Sequence, residues 1–195
     1  MMAAAEKSTR DRILDAANTL FYAEGIRAVS VDAVADKANV TKRTLYYHFK
    51  SKDQLIEAYL HSRDQPNLAA FARWFAEAEG SVADKTAAIF AGVGKNARQP
   101  KWRGCGFLRT AAELANMPGH PAVRVGAAHK KKFEAWLTER YAEAQLSNPA
   151  ALARSIVLLM DGAFSTMLIH REPDYALAAG DTARALVAAA AAHQT

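Results

Sequence analysis

The sequence predicts an all-helical protein, and three observations carry this prediction. Apolar residues make up 51% of the 195-residue chain, with alanine dominant and long β-branched runs scarce. Apolar residues also recur at helical spacings along most of the chain. Ser, Thr or Asn precedes several of these amphipathic segments, at the position where a side chain caps a helix. The length allows one large domain, or a small domain followed by a larger one with its own core.

The first helix is predicted to follow a short lead-in. Residues 1–7 are expected to be disordered, and Ser8 or Thr9 caps a helix that continues to about Glu24. Gly25 then ends the helix, because glycine tolerates a positive φ at that position. The helix has one apolar face, formed by Ile13, Ala16, Ala17, Leu20 and Phe21.

Residues 30–52 predict two further short helices joined by a tight turn. Ser30 caps the first of them, and Thr41 caps the second, which spans about 42–48. Asn39 lies at the turn, where a left-handed backbone conformation is needed. This arrangement is typical of a helix-turn-helix, whose second helix enters the major groove of DNA.

The same segment is rich in groups that hydrogen-bond to DNA. Residues 37–52 include five basic residues and no acidic one. A solvated basic surface would explain any one of these residues, but not the combination of caps, turn and basic stretch. The residues predicted to contact DNA through bases or phosphates are Ser30, Thr41, Lys42, Arg43, Thr44, Tyr46, Tyr47, His48, Lys50 and Lys52. Of these, Lys42, Arg43 and Thr44 are predicted to face base edges, while Leu45 and Phe49 point into the core.

This segment resembles the DNA-binding domain of the TetR family of transcriptional regulators. The resemblance rests mainly on Leu-Tyr-Tyr-His-Phe-Lys-Ser-Lys-Asp-Gln-Leu at 45–55 and covers about residues 8–60. It implies a three-helix DNA-binding domain at 8–52 and an effector-binding and dimerisation domain at 53–195. Family members are mostly homodimeric repressors that leave their DNA operator when a small molecule binds. Asn39 stands where the family often has Gly, and can adopt the same conformation.

Beyond the first domain, six helices are predicted. The first of them starts near Lys52, is interrupted or kinked at Pro66 and continues to about Ala78. A loop at 98–106 separates the second helix from the third. The remaining five helices span about 82–96, 107–116, 122–144, 149–170 and 175–192.

Aromatic residues of the second domain supply candidates for an effector pocket. Core packing is the more common explanation for each of them on its own, since large apolar residues are usually buried. Asp161 interrupts an apolar helix and must find a polar partner, either an effector or a neighbouring helix. The candidate pocket residues are Phe71, Phe90, Trp102, Phe107, Trp136, Asp161 and Phe164.

A second copy of the chain is expected because two DNA half-sites lie about 34 Å apart and one chain has one recognition helix. The helices at 122–144 and 150–169 are the candidates for the dimer surface. An apolar stripe on the second of them is either core alone or core and interface together. It consists of Met160, Ala163, Phe164 and Met167.

Composition restricts the remaining function classes. The formal net charge is +5, and Cys105 is the single cysteine, so an intrachain disulfide is excluded. Cys105 is interpreted as a small apolar residue, with redox sensing as the alternative. We expect a cytoplasmic protein, because the N-terminus lacks a signal-peptide pattern and the apolar run at 155–169 is too short to span a membrane.

No cofactor or metal is expected, because His120, His129 and His170 lack ligand spacing on one helical turn. An enzyme is disfavoured, since phosphate-binding loops, nucleophile elbows and zinc-protease motifs are absent from the sequence. The main alternative is a helix-turn-helix activator, or a DNA-binding protein with a purely structural second domain.

Overall fold

The computed structural model describes residues 7–192, which form nine α-helices and no β-strand. The all-helical prediction is confirmed, and each predicted helix is present with ends that differ by a few residues. Except for Lys7, the predicted disordered lead-in lies outside the described residues. The helices are α1 Thr9–Glu24, α2 Val31–Lys37, α3 Lys42–His48, α4 Lys52–Glu77, α5 Val82–Ala97, α6 Gly106–Glu113, α7 Pro121–Glu143, α8 Pro149–His170 and α9 Asp174–Ala192.

The first three helices start at the predicted caps. The side-chain oxygens of Ser8, Ser30 and Thr41 each accept a hydrogen bond from the amide three residues later, at 3.0–3.1 Å. Each cap satisfies an amide that has no partner within its helix. Gly25 has φ 96° after α1, and Asn39 has φ 53° between α2 and α3. These two positions set the directions in which the chain leaves α1 and α2.

The interruption predicted at Pro66 does not occur, because α4 is one helix from Lys52 to Glu77. A proline inside a helix removes one backbone hydrogen bond. Pro66 is exposed, while Leu60 before it and Phe71 after it are both buried. The apolar face of α4 thus continues on both sides of the proline.

The chain forms two compact units. Of the described residues, the first contains 7–63 together with 106–126, and the second contains 64–105 and 127–192. The unit boundary therefore falls within α4 and within α7. This grouping by contacts differs from the predicted division into domains at 8–52 and 53–195, which remains a prediction about where each function lies.

In the second unit, α9 packs along α5 and also contacts α8. Gly180 of α9 lies against Phe90 of α5, so closely that a Cβ atom at residue 180 would be 3.0 Å from the Phe90 Cβ. The apolar stripe of α8 is core in the single chain: Met160, Ala163, Phe164 and Met167 are at most 9% exposed.

Helix α8, predicted at about 149–170, spans 22 residues and contains the apolar run 155–169. By length and composition alone it could cross a membrane, with a mean hydropathy of 1.5 over its most apolar window. The run 155–169 alone is too short to cross a membrane, but the helix that contains it is long enough. It is the one such helix among residues 7–192, and 39% of its apolar window is buried inside the protein.

Candidate nucleic-acid interface and effector site

Two buried anchors fix the orientation of α3. Leu45 and Phe49 lie one helical turn apart and are 0% and 1% exposed. The Arg10 guanidinium covers the outer side of Phe49, 4.9 Å from the ring centroid. With these anchors inside, the opposite face of α3 is solvent-exposed and carries Arg43 and Tyr46.

The predicted DNA-contacting hydroxyls are already engaged as helix caps. Ser30 accepts from the Ala33 amide, and Thr41 accepts from the Thr44 amide. The Thr41 and Thr44 hydroxyls also lie 2.9 Å apart and share a hydrogen bond. In the protein without DNA, the hydroxyl oxygens of Ser30 and Thr41 therefore cap α2 and α3.

The two basic residues at the start of α3 differ in their surroundings. Lys42 Nζ forms an ion pair with Asp32 of α2 at 3.0 Å, and this hydrogen bond and charge raise the pKa of Lys42. Arg43 is exposed and has no ion pair or side-chain hydrogen bond among residues 7–192. Lys42 would have to break its ion pair with Asp32 before it contacts DNA, whereas Arg43 can contact a base or a phosphate directly.

Asp32→Asn should release Lys42 toward DNA. We expect tighter binding to DNA of unrelated sequence and a salt slope steeper by about one, as for one added phosphate contact. The measurement is binding to a random duplex over a series of salt concentrations. Asp36→Asn is the matched control, because Asp36 lies on α2 without a side-chain partner in the described part of the chain. An equal change in both variants would mean that the Asp32–Lys42 ion pair has no influence.

Polar groups cluster at the C-terminal end of α3. Tyr47 is 75% exposed, and the Lys50 ammonium lies 5.7 Å from its ring centroid. Lys50 Nζ also donates to the Tyr47 carbonyl at 3.1 Å, while the His48 ring meets the Tyr47 ring edge-on. Phenolic, imidazole and ammonium groups of this kind bind phosphate oxygens.

Lys50 and Lys52 lie near the start of α4 and have different surroundings. The Gln54 amide donates to Ser51 Oγ at 3.1 Å, and Gln54 Oε1 accepts from the Lys50 amide at 2.6 Å. Lys52 is half-buried, and burial lowers its pKa although the charges of Glu113 and Asp53 act in the opposite direction. Glu113 lies far away in the sequence, so the sequence could not reveal this neighbour of Lys52.

Comparison with known proteins agrees with this geometry. The family model described as bacterial regulatory proteins, tetR family, matches residues 13–59. The crystal structure of SCO4454, a TetR-family transcriptional regulator from Streptomyces coelicolor, superposes with a TM-score of 0.82. The two chains are 31% identical over 94% of this chain and 96% of SCO4454. This chain belongs to the TetR family.

Two curated relatives match 33% and 27% of this chain. TtgW of Pseudomonas putida is 44% identical over 64 residues, which are 33% of this chain and 48% of TtgW. The transcriptional repressor KstR2 of Mycolicibacterium smegmatis is 43% identical over 53 residues, which are 27% and 26% of the two chains. The chain thus spans less than half the length of these relatives. Both are named as HTH-type transcriptional regulators. As a member of the TetR family, this protein is a transcriptional regulator and not an enzyme.

The residues predicted to line an effector pocket have different surroundings in this TetR-family protein. Phe71 and Trp136 both pack against Phe133, with ring centroids 4.8 and 6.2 Å from it. Phe90 and Phe107 are at most 1% exposed and lie inside the core. Their assignment to a pocket remains a prediction.

Two concave sites each contain one of the predicted tryptophans. A groove of about 230 Å³ between α4 and α7 is lined by Gln65, Leu68, Ala69, Ala72, Phe133 and Trp136. A smaller pocket of about 140 Å³ contains Trp102, Arg103 and Arg171. Cys105, at 7% exposure, packs as a buried residue.

Asp161 finds its partner on a neighbouring helix. It accepts a hydrogen bond from Lys130 of α7, whose ammonium also lies 5.7 Å from the Phe164 ring centroid. This ion pair and cation–π contact link α7 to α8. The polar group inside the apolar helix is therefore satisfied within the protein.

A second internal ion-pair cluster was not predicted from the sequence. Asp64 of α4, 8% exposed, binds His129 Nδ1 at 2.8 Å and also pairs with Lys132. Burial lowers the pKa of His129, and the nearby Asp64 only partly counters this effect. For Asp64 burial alone would raise the pKa, but the hydrogen bonds from Lys132 and His129 lower it overall. No group of three or more His, Cys, Asp or Glu residues suited to a metal occurs among residues 7–192.

Proposed function

We propose that this protein is a dimeric, sequence-specific repressor that releases its operator when a small molecule binds. The observation that carries the proposal is the exposed face of α3. It presents Arg43 and Tyr46 on the side opposite the buried anchors Leu45 and Phe49. A short helix held in this way can insert its N-terminal residues into the major groove of DNA.

The proposed dimer surface is the exposed apolar side of α8 and α9. Leu158 and Ile169 of α8 are 69% and 74% exposed, although both are large apolar residues. With Leu186 and Tyr175 of α9 they belong to a surface on which a groove of about 550 Å³ lies between the helices. Contiguous exposed apolar residues of this kind mark interaction sites. This surface shares α8 with the predicted one, but it uses exposed residues instead of the stripe at Met160, which is buried within the chain.

The effector is proposed to be a largely apolar small molecule. The groove between α4 and α7 supports this class, since Leu68, Ala69 and Ala72 face Phe133 and Trp136 there. The repressor role is supported by the name of KstR2. A DNA-bound regulator of this kind acts in the cytoplasm, where the bacterial chromosome lies.

Selection of bound genomic fragments with the purified full-length chain tests this proposal. We expect enrichment of fragments that share a two-fold symmetric sequence whose half-sites lie about one helical turn apart. The genes next to the selected fragments would then suggest candidate effectors. Each candidate would be tested for its ability to release the protein from that DNA. Fragments without any shared sequence would contradict specific binding. A shared sequence that no compound releases would favour a constitutive DNA-binding protein with a structural second domain.

A further inference from the structure

Helix α6 contacts α1 and the loop after it through residues that are far apart in the sequence. The Arg27 amide, in the loop between α1 and α2, donates to Glu113 Oε2 at 2.9 Å. The Arg27 guanidinium donates to the Glu113 carbonyl at 3.2 Å. One turn earlier on α6, Arg109 donates to the Tyr22 carbonyl at the end of α1, at 2.7 Å. All of these residues belong to the first compact unit.

The loop is shaped to receive the Glu113 carboxylate. Gly25 has φ 96°, and a Cβ atom at that position would lie 3.0–3.3 Å from the three carboxylate atoms. A side chain at residue 25 would therefore press on the group that binds the Arg27 amide. The partly buried ammonium of Lys52 supplies a positive charge that interacts with the same carboxylate. Glu113 thus joins the loop after α1 to the end of α6.

We propose that Glu113 is a positioning residue that holds the helix-turn-helix in the arrangement that binds DNA. This inference rests on the proposed DNA-binding function. The loop that Glu113 holds continues into Ser30, the cap of α2, and α2 packs against α3. If the loop loosens, a smaller fraction of molecules presents α3 in the binding arrangement. The apparent affinity falls in proportion to that fraction.

Glu113→Ala and Glu113→Gln test this role in the full-length protein on the selected operator. A hydrogen bond to a charged group changes an equilibrium about tenfold, so we expect Glu113→Ala to weaken operator binding about tenfold. Glu113→Gln keeps an oxygen that can accept from the Arg27 amide, and should bind within about threefold of the wild type. The second readout is hydrogen exchange of the Arg27 amide by NMR, which needs no DNA. It should be faster in Glu113→Ala and slow again in Glu113→Gln.

Glu24→Ala is the matched control. Glu24 is an exposed acid at the end of α1 with no ion pair or side-chain hydrogen bond in the described part of the chain. It should leave both operator affinity and Arg27 exchange unchanged. Wild-type affinity in Glu113→Ala would overturn the proposal, and so would a loss in Glu113→Gln as large as that in Glu113→Ala. If the wild type selects no DNA, the proposed function fails, whereas unchanged Arg27 exchange in Glu113→Ala refutes the positioning role of Glu113.

Discussion

Replacing Arg43 by alanine should weaken binding to the selected operator by about 1–3 kcal/mol, the range for a side chain that pairs with a base. The loss is expected because Arg43 is exposed at the start of α3 and has no ion-pair partner among residues 7–192. The measurement is binding to the operator and to operators in which single base pairs are changed. In the Arg43→Ala variant, at least one base change should no longer matter.

The control for this experiment is Lys37→Ala, which removes an exposed positive charge at the end of α2. Lys37 should affect operator and random DNA alike, as expected for a charge that acts on phosphates. If Arg43→Ala also weakens all sequences equally, Arg43 contacts phosphate rather than a base.

Leu158→Asp should separate the dimer and lower operator affinity about 100-fold or more, since the second half-site is then no longer bound by a linked partner. Leu158 is 69% exposed in the single chain, so an aspartate is tolerated there in the monomer. In a dimer the same carboxylate would be buried against an apolar surface, at a high desolvation cost. Analytical ultracentrifugation measures the mass, and circular dichroism checks that the helices remain.

Met117→Asp provides the comparison for Leu158→Asp. Met117 is 46% exposed and lies between α6 and α7, in the first compact unit, whereas α8 belongs to the second. It should leave mass and operator binding unchanged. A Leu158→Asp protein that remains a dimer would exclude this face of α8 as the interface.

The helix-turn-helix could be predicted from the sequence because its signals are local. Ser30 and Thr41 cap helices through amides three residues away, and Asn39 turns the chain by its own backbone conformation. The spacing of Leu45 and Phe49 was sufficient to identify the buried side of α3.

Contacts between distant segments could not be predicted. The Asp32–Lys42 ion pair depends on the angle between α2 and α3, which periodicity does not give. Glu113 reaches Arg27 across 86 positions of the sequence. The stripe at Met160 had the right spacing for either core or interface, and only the packing of α8 shows that it is buried. For the same reason, the sequence could not show which aromatic residues lie beside a cavity.

Operator binding over a range of salt concentrations tests the central claim most directly. If α3 and the groups around it bind DNA, log K should fall linearly with log salt. A dimer with six to ten phosphate contacts should lose about 10³- to 10⁵-fold in affinity between about 50 and 200 mM salt. The Arg43→Ala variant should remain weaker than the wild type over the whole range. An affinity that stays constant across that range would contradict DNA binding through this basic surface.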